Sequence, residues 1–214
     1  MPNYVKNVIE CNDVDKIKEV LFTDKHVDFN NLVKRPECLD DFQPNCSVVG
    51  RAKLAMGIVD SKDDLQLELR LAIRDGYEHI NIDDIYRCMK NIEETGYAYW
   101  YDWSLDNWYT KWNAGETKVE DSKIFFTTAW TGVPELMRVL YDKSGVDFTY
   151  KYADEDTGFN VGVYFFKDGE MVSDVYNGGS NDAYEISFEL WPDSKDNYRF
   201  EDGKWLYFEE DEDE

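Results

Sequence analysis

His26 and His79 are the chain's two imidazoles, and neither stands at a spacing from Cys, Asp or Glu that would make a zinc site. Without a convincing base, a Ser or Cys nucleophile lacks its second member. No P-loop, no G-x-G-x-x-G and no G-x-S-x-G occurs. DEDTGFN, residues 154 to 160, opens as a calcium loop would, with Asp154 and Asp156 at positions 1 and 3. It then departs from that pattern: Gly158 stands at a ligand position, Phe159 where a glycine is required, and Phe165 where the bidentate glutamate belongs. A hairpin turn is the expectation there. The adjacent carboxylates Asp63 with Asp64 and Glu93 with Glu94 point different ways on a helix and start or solvate it. No catalytic residue, metal or cofactor is expected, and no enzymatic activity.

What remains is acid. From Asp154 to Glu214, 19 acidic residues stand against Lys167, Lys195, Arg199 and Lys204, so that third carries −15 of the formal −23. Within it, Glu185, Ser187 and Glu189 alternate with Tyr184, Ile186, Phe188 and Leu190, the pattern of a strand with one apolar and one acidic face. Alternate side chains on a strand lie about 6.6 Å apart, and Asp193, Asp196, Glu201 and Asp202 extend the row into an array. Such an array imitates a phosphate backbone. It would meet the Lys and Arg surface of a nucleic-acid-binding protein with fast, salt-dependent association, while repelling nucleic acid itself and anionic membrane. The same charge also serves plain solubility. The candidate partner-binding residues are Glu185, Glu189, Asp193, Asp196, Glu201 and Asp202.

The elements that must position these residues can be read from period and punctuation. At 214 residues, with 43% hydrophobic and 16% aromatic content, the chain can bury a real core despite its charge. NYVKNVIEC reads as a strand that meets the caps Asn12 and Asp13, and Val14, Ile17, Val20 and Leu21 then share a helical stripe. A short strand is expected near Val27 to Leu32. DDLQLELRLAIRDGYEHI and DDIYRCMKNIEETGYAYWYDW read as helices, the longer capped by Asn81 or Asp83. KIFFTTAW, VPELMRVLYDKSG and VDFTYKYADE give strand, helix and strand, with Pro134 in the helix's first turn and Gly145 as its stop. Hairpins are expected around Asp168-Gly169 and Asp202-Gly203, and EEDEDE as a disordered tail. If the second helix ran on to Trp108, Tyr97, Tyr101, Leu105 and Trp108 would share one face and dock it on a sheet, with Trp103 well off that face.

Cys11, Cys38, Cys46 and Cys88 form neither a C-x-x-C pair nor a secreted framework, and MPNYVKNVIE lacks the apolar core of a signal peptide. A reduced, cytoplasmic protein is expected. No apolar run approaches the roughly 18 residues of a membrane span.

MPN-x-x-x-N at the start, DFNNLVKRPECLD, WSLDNWYTKWNA and FFTTAWTGVPELMRVL together resemble a family of phage and conjugative-plasmid proteins carrying a YubB-type ferredoxin-like domain. That family's pattern runs close to ENWGTKWNA followed by F-x-T-A-W-S-x-P; here Tyr109 stands for the glycine and Thr131 for the serine. The resemblance covers roughly residues 1 to 45 and 100 to 175. It implies an α+β, ferredoxin-like antiparallel sheet with helices on one face and an origin on a mobile element, and it implies no reaction. The expected organisation is that domain in residues 1–45 and 100–175, a helical insertion at 46–99, an acidic β-hairpin extension at 176–208 and a disordered tail at 209–214.

The functional expectation is a non-enzymatic phage or mobile-element inhibitor of a host defence nuclease of CRISPR or restriction type. It would bind a basic nucleic-acid-binding surface through its acidic face, with no direct nucleic-acid or membrane partner. A metal- or nucleotide-dependent small-molecule enzyme and a structural or scaffold phage protein are the alternatives.

Overall fold

The computed structural model describes residues 3–58 and 81–208. The expected helix DDLQLELRLAIRDGYEHI and the tail EEDEDE lie outside the described residues. The chain divides into two compact units, one joining Met1–Lys34 to Asn107–Glu214 and the other formed by Arg35–Asp106.

The first unit is built on a six-stranded antiparallel sheet. In chain order its strands are β1 (Tyr4–Cys11), β4 (Gly115–Glu120), β5 (Lys123–Ala129), β6 (Phe148–Asp154), β7 (Val161–Lys167) and β8 (Glu170–Val175), and in space they lie β4-β5-β1-β6-β7-β8. Helices α1 (Val14–Leu21) and α5 (Pro134–Ser144) pack side by side. The Asp13 carboxylate accepts from Lys16 N at 3.1 Å to start α1. Pro134 fills the first turn of α5, and Gly145, at φ 61°, closes it. The hairpin between β7 and β8 turns on Asp168 and Gly169, both at positive φ (54° and 83°), as a type I′ turn requires.

The pleat sorts β1 into two faces. Val5, Asn7 and Ile9 lie on the face of Phe126 and Tyr150, their cross-strand partners or near neighbours. Tyr141 of α5 packs against Phe148 and Phe166 on that same face. Phe29 bridges Trp108 and Phe126 at ring separations of 6.0 and 5.9 Å, and the Trp108 indole donates to Val33 O at 2.8 Å. Phe29 and Trp108 are completely buried, each hiding on the order of 150 to 250 Å² of mostly apolar surface.

The second face corrects one expectation. Residues 181–190 do not form a strand; they form helix α6 (Asn181–Leu190), which lays Ala183 and Leu190 over Val8 and Ala153. The Ser180 hydroxyl accepts from Ala183 N at the helix start, with Asp182 in the first turn. The alternating Tyr184, Ile186, Phe188 and Leu190 also satisfy i, i+4 spacing in the two pairs 184/188 and 186/190, so period alone could not decide between strand and helix. The hairpin expected around Asp202-Gly203 is present as β9 (Tyr198–Glu201) and β10 (Lys204–Tyr207).

The strand expected between Val27 and Leu32 is also different. A short hairpin, β2 (Phe22–Thr23) with β3 (His26–Val27), ends there, and Phe29–Asn31 wind into a 3-10 turn. Asp28 causes this: its carboxylate accepts from Asn30 N at 2.9 Å and pulls the chain into the turn.

In the second unit, α2 (Cys46–Ala55), α3 (Ile82–Thr95) and α4 (Trp100–Asn107) surround Val48, Ala52, Cys88 and Ala98. Asn45 caps α2 and Asn81 caps α3 through their side chains. Gly96, at φ 84°, stops α3. One continuous helix from α3 to Trp108 therefore does not form, Tyr97, Tyr101, Leu105 and Trp108 do not make a shared stripe, and Trp103 is buried instead.

Candidate functional site

The six acidic residues singled out in the sequence do not form one sheet face. Glu185 and Glu189 lie one turn apart on the outer side of α6, and Ser187 between them is buried, accepting from Gly158 N at 2.9 Å. Asp193 and Asp196 are exposed in the 3-10 segment Pro192–Asn197. Glu201 ends β9, where it pairs with Arg199 at 3.3 Å, and Asp202 sits in the following turn. Asp182, which the sequence reading missed, begins the same helical strip. The Ser180 cap was the signal for it, because that cap turns Asp182, Glu185 and Glu189 into an i, i+3, i+7 row about 5 to 6 Å between neighbouring Cβ atoms. The Asn181 side chain donates to Gly203 O at 2.8 Å, so the Asp202 turn is held at the start of this strip.

Glu189 is neutralised from within. Lys151 Nζ reaches its two carboxylate oxygens at 2.7 and 2.9 Å, and Lys123 Nζ lies 3.8 Å away. Both lysines also pair with Glu10, Lys151 at 3.4 Å. Burial pushes the Glu10 carboxyl up, but the hydrogen bond from Lys123 and the charges of Lys151 and Lys123 outweigh it and hold the group below its ordinary value. The hydrogen bond to Glu10 in turn raises the Lys123 ammonium. Beside this quartet the half of the sheet face not covered by α6 forms an open groove of about 310 Å³, lined among others by Lys6, Lys118, Glu116, Phe125, Thr127 and Pro192. Lys118 pairs with Glu120 and Lys6 lies over the Trp191 ring, 4.1 Å from its centroid, so the groove mixes both signs. By contrast Asp182, Glu185, Asp193, Asp196 and Asp202 make no ion pair among the described residues and are exposed.

The segments that carry the family resemblance are tied to one another. Asn113 donates to the Asp28 carboxylate at 2.7 Å and accepts from Phe29 N at 2.8 Å, so the DFN and KWNA stretches share a node. These hydrogen bonds, with those from Asn30 and Thr23, overcome burial and hold Asp28 below the usual carboxylate range. Thr110 exchanges two hydrogen bonds of 3.0 Å with the backbone of Ala129. In the sheet centre Asn7 donates to Thr128 Oγ1 at 2.9 Å, and Thr128 donates to Thr131 O at 2.7 Å. Every one of these groups is satisfied inside the fold, which makes the network a fastening rather than a reaction site.

Asp154 likewise spends its carboxylate internally. It is buried, and it accepts from Asn3 Nδ2 at 3.1 Å, Asp156 N at 3.0 Å and Asn160 Nδ2 at 2.7 Å. Among the described residues no group of three or more His, Cys, Asp or Glu is placed to hold a metal ion. Cys11, Cys38, Cys46 and Cys88 are free thiols, and burial, with the charge of Asp84, pushes Cys88 up to about 11. Among the described residues no helix is long and apolar enough to cross a membrane.

Compared with known families, residues 107–192 match a model described as the ferredoxin-like domain in Api92-like protein. The match spans 86 of the 214 residues and takes in the NWYTKWNA and FFTTAW segments, strands β4 to β8 and all of α6. No curated protein and no solved structure matches the chain. The chain thus carries an α+β domain similar to that ferredoxin-like family.

Proposed function

We propose that this protein is a non-enzymatic inhibitor made by a phage or plasmid, acting in the host cytoplasm. Its target is a basic nucleic-acid-binding protein of the defence-nuclease kind, CRISPR or restriction in type. The observation that carries the reading is the strip Asp182–Glu185 on the outer side of α6, with Asp202 fastened at its head and Asp193 and Asp196 beyond its foot. None of these carboxylates forms an ion pair among the described residues, and Lys123 and Lys151 on the same side of the sheet are committed to Glu10 and Glu189. Rows of uncompensated charge on a rigid helix steer a lysine- and arginine-rich surface and occupy it in place of nucleic acid. The ferredoxin-like fold and the mobile-element resemblance support this reading without supplying a reaction.

Purified defence nucleases assayed on their nucleic-acid substrates test it. Inhibition should be stoichiometric, should weaken steeply with salt, and should be lost when Asp182, Glu185 and Asp202 are changed together to lysine in a protein that keeps its melting temperature. Inhibition that is catalytic in the protein, or binding that ignores both salt and the triple reversal, overturns it.

A further inference from the structure

Hairpin β9–β10 lies past residue 192, where the family match ends, and it is held differently from the sheet. Its two strands pair with each other and, among the described residues, with no other strand. None of residues 198–208 is buried, whereas Val5, Val8 and Ile9 of β1 have no exposed surface at all. Cross-strand partners share a face of the pleat, so Tyr198, Phe200, Trp205 and Tyr207 stand on one side of the hairpin and Arg199, Glu201, Lys204 and Leu206 on the other. The aromatic side meets α6 on a flank that the sheet does not use. Trp205 packs on Phe188 at 4.8 Å between ring centroids, and Tyr198 on Phe188 and Tyr184 at 5.6 and 5.2 Å, while Ala183 and Leu190 of the same helix cover the sheet. Phe200 and Tyr207 stay 55% and 59% exposed.

The seam between hairpin and helix is thin. Tyr198 and Trp205 are only partly buried in it. Asn181 donates to Gly203 O at 2.8 Å, Tyr198 hydrogen-bonds the Thr157 side chain, and Lys195 Nζ lies 5.6 and 5.2 Å from the Phe188 and Trp205 ring centroids. Against these ties, the Trp205 indole N–H is shut away from solvent with no acceptor among the described residues. Opening the seam returns that N–H to water and so recovers a desolvation cost that closure imposes. A two-stranded hairpin is marginal on its own in water, so the β9–β10 ladder lasts only while it is docked. We infer that β9–β10 is a strap, hinged at the 3-10 segment Pro192–Asn197, that opens and closes over α6 as one unit while the six-stranded sheet stays folded. Closure holds the Asp202 turn at the start of α6, where Asp182 lies; opening carries it away and uncovers Phe188, one turn from Glu185. The strap thus assembles and dismantles the head of the acidic strip, whatever that strip binds. A ligand that grips Asp202 together with Glu185 selects the closed form and suppresses opening.

Native-state hydrogen exchange of the full chain in a series of low urea concentrations tests the strap. Relative to their unstructured rates, the ladder amides of β9 and β10 should exchange about a hundredfold faster than those of β1. They should hardly respond to urea, because opening the strap exposes little surface, while β1 exchange should rise steeply. Phe188→Leu removes the ring contacts to Trp205 and Tyr198 and should speed hairpin exchange about tenfold with β1 unchanged. Asn181→Ala should do the same about fivefold. Hairpin amides as protected as those of β1, with the same urea slope, overturn the strap, because the hairpin then unfolds only with the whole unit. Ladder amides that exchange at the unstructured rate overturn it too, since the closed form is then unpopulated. So does either variant speeding β1 in step with the hairpin. If Phe188→Leu does not fold, the wild-type urea series and Asn181→Ala decide. No partner enters these measurements, so failure of the proposed inhibition leaves the strap standing, and failure of the strap leaves the inhibition assay to be judged by itself.

Discussion

The Tyr150 hydroxyl donates to Asn7 Oδ1 at 2.5 Å and accepts from Val133 N at 2.7 Å, joining the central strand to the turn that launches α5. Tyr150 and Asn7 are both completely buried. Tyr150→Phe keeps the ring and strands an amide oxygen and a backbone N–H without water. Each orphaned group costs about 1 to 3 kcal/mol, so a loss of about 3 kcal/mol is expected, read as a lower urea midpoint at unchanged slope.

Stability should fall in alkali. Burial, then the neighbouring Tyr164, pushes Tyr152 up to about 12; burial, then Asp102, does the same to Tyr99; Cys88 rises to about 11. The fully buried Tyr150 phenol moves up for the same reason. Above the ordinary pKa of each group the unfolded chain has lost a proton that the fold retains, so the slope of stability against pH is negative. The contribution is complete below about pH 9 and drains away as pH climbs through 11 to 12. On the acid side Glu10 and Asp28 are lowered, so their contribution is present above the usual carboxylate range and is lost as pH drops below it. Urea midpoints measured at pH 3, 7 and 11 should be highest at 7.

Much of the sheet was legible because its signals are local. Pro134 and Gly145 bracket α5, Asp168-Gly169 can only be a tight turn, and β1, β5 and β6 carry dense apolar runs. Helix α6 was not legible from its apolar pattern, which fits both periods, and the decisive Ser180 cap lies outside that pattern. The exposure of Glu185 could be read; the neutralisation of Glu189 could not, since Lys151 is 38 residues away in sequence and meets it only once α6 lies on the sheet. The link between Asp28 and Asn113, 85 residues apart, is equally invisible to a window of any local length.

Glu189 and Glu185 should therefore behave differently although they share a helix face. Glu189→Gln breaks the quartet with Glu10, Lys123 and Lys151, and because these side chains are only partly shielded the cost should be about 0.5 to 1 kcal/mol. Under the proposed function, inhibition should stay within about twofold, since that carboxylate is already held by Lys151 and Lys123. Glu185→Gln should do the reverse, leaving thermal stability alone and weakening target binding at low salt. The two melts and two titrations, run side by side, check both halves of the expectation.

Tyr109 has φ 62° and is 45% exposed, and it stands where the resembled pattern carries glycine. A side chain in the left-handed region costs about 1 to 2 kcal/mol, whereas glycine enters it freely but gives the unfolded chain roughly 0.4 to 1 kcal/mol of extra entropy. Its neighbours Trp108 and Thr110 are both buried and hydrogen-bonded, so the backbone between them cannot relax to a negative φ. The strain is therefore retained in the fold, and Tyr109→Gly should stabilise the protein by a net of about 0.5 kcal/mol. For a chain of this size that raises the melting temperature by about 1 to 2 °C. Tyr109→Ala, which removes the ring but keeps the Cβ, should give none of this gain. A melting temperature for the alanine variant equal to that of the glycine variant would place the cost in the exposed ring and not in the backbone.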